Sequence, residues 1–205
     1  LLVPISEDQP SGSESRDGPD YQAIASQIDQ LTRADFTGTI DWGKIQTQAS
    51  QILLQQSKDF LVAGWVAVSW VELQGVTAIK DGANLFVGML NQYWDDGFPP
   101  VARIRGRRNA IAWWADQASA FIARGNLQPL QQDQYDAIQI AVKELDKTFA
   151  SRDPDAPSLG DFMQLVGSLE VKPEPAAAPV ATPTADAPQE QEAAAGQSVM
   201  PSAPV

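Results

Sequence analysis

The run "FLVAGWVAVSWV", Phe60 to Val71, constrains this chain more than any other stretch. It carries no charge and is apolar on every side of a helix. At about a dozen residues it falls short of the ~20 that a membrane-spanning helix needs. A helix that is apolar all round must instead be enclosed by other elements. The spacing predicts a central helix from about Asp59 to Leu73, ended by Gly75.

The rest of the first 170 residues supplies its neighbours. β-branched alternation is scarce, while apolar residues recur at three-and-four spacing. A first helix aligns Tyr21, Ile24, Ile28 and Leu31. A second starts after Asp41 as N-cap and aligns Trp42, Ile45, Ala49, Ile52 and Leu53. A fourth aligns Ile79, Ala83, Phe86, Val87, Leu90 and Trp94 and stops near Gly97. Pro99 and Pro100 reset the direction. A fifth, through the following arginines and tryptophans, aligns Ile111, Trp114, Ala118, Phe121 and Ile122. A sixth uses Tyr135, Ile138, Val142, Leu145 and Phe149. A seventh follows Ser158 as N-cap, with Leu159, Phe162, Met163 and Val166. The expected fold is an all-α domain of about seven helices over residues 1–170, with short connections that favour antiparallel neighbours.

From 171 to 205 the chain is mostly Ala and Pro with scattered acids. It has too few large apolar groups for a core, and its prolines break helices. We read it as a disordered linker, with a further C-terminal domain expected beyond it. The opening "LLVPISEDQP" has no basic stretch ahead of an apolar run and does not read as a signal peptide.

Composition narrows the chemistry. The chain has no cysteine and no histidine. Disulfides, thiolate or imidazole metal ligands, and Cys–His or Ser–His nucleophile pairs are therefore excluded. The formal net charge of -12 argues against a general nucleic-acid binder. Against that acidic background, Arg103, Arg105, Arg107 and Arg108 cluster within six positions of "YWDDGFPPVARIRGRRNAIAWWAD". Arginine offers a bidentate fork for carboxylate or phosphate. If Pro99-Pro100 opens the fifth helix, these cations oppose its dipole and need compensation. Gly106 is read as permitting a bend, and Asp95 and Asp96 as the local partners. Three readings stay open: arginines tied to carboxylates, a contact for a partner protein, or a nucleic-acid or phosphate site.

Other candidates read more simply. Asp95 and Asp96, like Glu7 and Asp8, are adjacent in sequence, and helix neighbours point about 100° apart rather than converging. Asp153 to Asp161 lacks calcium-loop spacing and reads as a turn and a cap. Trp65, Trp70, Trp94, Trp113 and Trp114 fall on or beside apolar faces and read as core, with Trp42 partly exposed. No catalytic, cofactor or metal residue emerges.

Several of these segments, in order, resemble the N-terminal domain of the ImpA/TssA family of type VI secretion proteins. The opening "LLVPISEDQPSGSE" matches a Pro-Ile-Ser segment followed by a Gly-acid motif. Asp41-Trp42 and Ser57-Lys58-Asp59 bracket the second helix. The apolar third helix follows. "GMLNQYWDDGFPP", with Trp94, Pro99 and Pro100, precedes Arg107, Asn109, Ala110, Trp113 and Trp114 in "GRRNAIAWW". The resemblance covers residues 1–125 best.

What it implies is an assembly role without catalysis. Such proteins work in the cytoplasm of Gram-negative bacteria and help organise the baseplate and the polymerisation of tube and sheath. Expected partners are other secretion components from the baseplate, tube, sheath or membrane complex. Homo-oligomerisation is expected through a C-terminal domain, with neither nucleic-acid binding nor direct membrane insertion. The exposed members of the arginine cluster are the expected contact. The alternative is a nucleic-acid or phosphate-binding regulatory module using the Arg103–Arg108 cluster.

Overall fold

The structure, a computed structural model, describes residues 1–33 and 35–173. Seven α-helices account for the architecture among these residues: α1 (Pro19–Asp29), α2 (Trp42–Gln55), α3 (Phe60–Gln74), α4 (Ile79–Gln92), α5 (Ile104–Ala123), α6 (Gln132–Arg152) and α7 (Gly160–Gly167). Short 3-10 turns precede α4 and α5 and follow α1. No β-strand forms among the described residues; extended backbone meets only at isolated bridges. No helix there is long and apolar enough to cross a membrane.

The central helix is enclosed as its sequence demands. Ten of the fifteen residues of α3 are buried, because α2, α4 and α5 all pack against it. α6 covers α4, and α7 closes the far side against α5 and α6. Ser69, fully buried in α3, satisfies its hydroxyl by donating to the Trp65 carbonyl one turn back. Trp114 of α5 is fully enclosed, with Phe86 of α4 and Phe162 of α7 against its ring at centroid distances of 5.6 and 5.4 Å. Asp41 caps α2 by accepting the Lys44 N–H at 2.9 Å. Gly75 ends α3 with φ 86°, a left-handed conformation that side chains disfavour.

Four local expectations change. α1 ends at Asp29, and Leu31 sits in the following turn, 38% exposed rather than on the core face. α4 ends at Gln92, so Trp94 belongs to the turn that follows it. Ser158 accepts the Gly160 N–H at 3.1 Å, but the cap position of α7 is Leu159, whose N–H is taken by Asp146 at 2.7 Å. The helical unit also reaches beyond residue 170: Leu130 pairs with Val171, and the Lys172 N–H donates to the Leu130 carbonyl at 2.8 Å. From Glu174 onward the expected linker lies outside the described residues.

Candidate functional site

The segments quoted for the family resemblance converge at one place, where the chain passes from α2 to α3. Ser57, Lys58 and Asp59 are extended and fully buried. Their backbone is held from both sides. On one side, the Lys58 N–H donates to the Ser11 carbonyl and the Ser13 N–H to the Gln56 carbonyl, at 2.9 and 3.0 Å. On the other, the Phe98 N–H donates to the Lys58 carbonyl at 2.8 Å and the Phe60 N–H to the Phe98 carbonyl at 2.7 Å. Segments distant in sequence thus supply the partners that a buried extended backbone requires.

The two buried charged side chains here, Lys58 and Asp59, are engaged inside the fold. Lys58 Nζ donates to the carbonyls of Leu1 and Leu53 at 2.8 and 2.5 Å, and lies 5.4 Å from the Tyr93 ring centroid. Burial pulls its pKa down to about 8. Asp59 accepts the Leu61 N–H at 2.7 Å, as N-cap of α3, and Arg16 Nε at 3.4 Å. Burial pushes its carboxyl above the usual range, and the Arg16 charge opposes that. These groups hold the amino-terminal segment and two helix ends together.

The four arginines separate completely. Arg107 is fully buried. Its guanidinium donates through Nε to the Pro99 carbonyl at 2.6 Å, through Nη2 to Gly97 at 2.5 Å, and through Nη1 to the Trp94 carbonyl. It also lies over the Phe60 and Trp94 rings, 4.9 and 5.0 Å from their centroids. One planar fork thereby satisfies the turn between α4 and α5, which has no ladder of its own. Burial lowers its pKa, and the charges of Asp59, Asp95 and Asp96 counter this from a distance. As a buried group Arg107 faces no partner, which removes it from the expected contact patch.

The carboxylate pairing also differs from expectation. Asp95 and Asp96 form no ion pair with the arginines. Arg108 instead donates to both oxygens of Asp153 at 2.6 Å, with Asp155 at 3.5 Å. Its hydrogen bonds hold the Asp153 carboxyl below the usual range. Arg103 Nη2 donates to both oxygens of Glu14, at 3.0 and 3.2 Å. Arg105 is exposed and has no ionic partner among the described residues. Asp153, the C-cap of α6, anchors an Asx turn through the Asp155 N–H, so the segment is the expected turn with an arginine added. Glu14 and Asp153 lie 89 and 45 positions from their arginines. No local signal in the sequence could pair them.

Gly106 changes its meaning as well. A Cβ there would lie 2.7 Å from Pro99 Cγ, so the glycine permits close packing of α5 on Pro99 rather than a bend. Of the remaining signature residues, Pro99 is buried while Pro100, Trp42, Trp94 and Trp113 are half-buried, the three tryptophans against the core. Among the described residues no cluster of three or more acidic side chains is placed to hold a metal ion.

Comparison with known proteins agrees with this arrangement. The model of the ImpA N-terminal family of the type VI secretion system matches residues 2–116. The type VI secretion system component TssA1 of Pseudomonas aeruginosa is 28% identical over 109 residues, covering 48% of this chain and 30% of that protein. The chain thus spans under a third of the length of that curated relative. In fold it is similar to the N-terminal domain, including the conserved ImpA_N region, of the TssA component from Burkholderia cenocepacia. The TM-score is 0.57 at 20% identity, covering 80% of this chain and 88% of that one. A family match over more than half the chain, on the segments that build the buried junction, establishes that this protein belongs to the ImpA N-terminal family of type VI secretion system components.

Proposed function

We propose that the domain is a non-enzymatic docking module of a type VI secretion apparatus, working in the cytoplasm and contacting baseplate, tube, sheath or membrane-complex components during assembly. One observation carries this reading. Three charged residues of the segments that carry the family resemblance, Lys58, Asp59 and Arg107, are fully buried and occupied with the fold's own groups. They maintain the shape of the domain and present nothing to a substrate, so function falls to the exposed surface.

On that surface Arg103 and Arg105 are the accessible members of the cluster. Nucleic-acid binding rests on many phosphate contacts, each adding to affinity and to its salt dependence. Two exposed arginines on a chain of net charge -12 suit a local protein contact better. The test is a crosslinking and capture assay with purified secretion components. The 205-residue chain is expected to retain at least one baseplate, tube, sheath or membrane-complex component. Failure to capture any of them, by a chain shown to be folded, overturns the reading.

A further inference from the structure

We propose that an open hollow lined by Arg16, Arg103 and Arg105 is the docking site for an acidic segment of a partner protein, and that Glu14 is an internal carboxylate competing for the same arginines. This inference rests on the docking reading above and names the chemistry of the partner.

The hollow brings together cations from two distant parts of the chain. Arg16 precedes α1, while Arg103 and Arg105 flank the start of α5. Pro99, Ala102 and Ile104 give it an apolar lining. None of the three arginines is saturated. Arg16 uses Nε toward Asp59 at 3.4 Å and toward Glu14 at 3.8 Å. Arg103 uses Nη2 toward Glu14. Arg105 has no partner among the described residues. A guanidinium carries five N–H donors in a planar fork. Several donors around the hollow are therefore unused.

Glu14 shows what the arrangement accepts. Its carboxylate lies between Arg103 and Arg16, with both oxygens on Arg103. The pair is held loosely, because the side chains of Arg103 and Glu14 remain 55% and 39% exposed. An exposed pair of this kind is stabilised by ~1 kcal/mol or less and exchanges readily with an incoming carboxylate. Arg105 supplies a second fork that no internal acid occupies. The apolar lining suits a peptide whose acidic residues alternate with small apolar ones. Elsewhere the acidic surface repels such a segment, which fixes its register on the hollow.

The test uses the 205-residue chain, labelled with nitrogen-15, and an octapeptide alternating Glu with Ala. The Arg103 and Arg105 Nε–H resonances are expected to shift on titration, while the matching Gln-Ala peptide leaves them in place. Arg105→Ala weakens binding about fivefold, the scale of one exposed ion pair. Glu14→Gln strengthens it about threefold by freeing Arg103. A purely structural Glu14 would not yield that gain. Equal binding of the Gln peptide, no effect of Arg105→Ala, or no gain with Glu14→Gln overturns the proposal. So does preferential binding of inorganic phosphate or a single-stranded DNA oligonucleotide at these resonances. Component capture separates the two readings. Capture by the parent chain that survives the double change Arg103→Glu, Arg105→Glu removes the hollow and leaves the docking function standing. Absence of capture by the parent removes the docking function, and the peptide titration then judges the hollow alone.

Discussion

Arg105 and Arg107 are two residues apart on the same helix and have opposite fates. Arg107 is fully buried, donates to three backbone carbonyls and lies over two aromatic rings. Arg105 is exposed and lines an open hollow. Residues two apart on a helix point about 200° apart, so one faces the core while the other faces solvent. The contrast teaches that a charge cluster in a sequence is not one site. Helical phase divides it between architecture and surface, and Arg108, paired with Asp153, falls between the two extremes.

That contrast can be broken or sharpened by substitution. The largest effect is expected from Arg107→Met, which fills similar space but strands the carbonyls of Trp94, Gly97 and Pro99. Each unsatisfied buried group costs about 1–3 kcal/mol, and partial relaxation brings the total to about 3–5 kcal/mol. Urea denaturation measures it, and a cost below about 1 kcal/mol would refute the structural role. Arg107→Lys restores little, since a point charge cannot reproduce the planar fork.

Next is Gly106→Ala. Overpacking against Pro99 costs about 1–3 kcal/mol, set against up to about 1 kcal/mol gained in helix propensity. A net loss in thermal or urea stability is expected. A net gain would show that α5 and Pro99 separate easily.

The intermediate case is the Arg108–Asp153 pair, and it is tested through pH. The Asp153 carboxyl is held below its unfolded value, first by the Arg108 hydrogen bonds. Its stabilisation is therefore fully present above the unfolded pKa of about 4 and is lost as pH falls through the folded value. Asp153→Asn should be less stable than the parent at pH 7, and the gap should close below about pH 4. A gap independent of pH would mean that the ion pair contributes nothing. The smallest effect is Arg105→Ala, expected to leave stability within about 0.5 kcal/mol, as for other exposed sites. A larger loss would place Arg105 in the architecture beside Arg107.

Much of the fold was legible in the sequence, and the reason is periodicity. The apolar face of each helix, the cap at Asp41 and the stop at Gly75 are local properties of a few consecutive residues. Leu31 shows the limit: it continues the spacing of α1, but the helix ends two residues earlier and the side chain turns to solvent. The site was legible only as a set of residues. Asp95 and Asp96 are near the arginines in sequence, yet Glu14 and Asp153 take the pairings, because docking of α5 brings distant carboxylates closer than local ones.

The sequence by itself determined that the chain is helical, that α3 is enclosed, and that no Cys- or His-based chemistry is present, since these follow from composition and spacing. The tertiary structure decided which arginine is a structural fork, which is paired and which is free. It also turned Ser57, Lys58 and Asp59 from a motif into a buried junction. The physical reason is the same in both cases: hydrogen bonding of a buried polar group depends on which distant backbone is brought beside it, and only packing sets that.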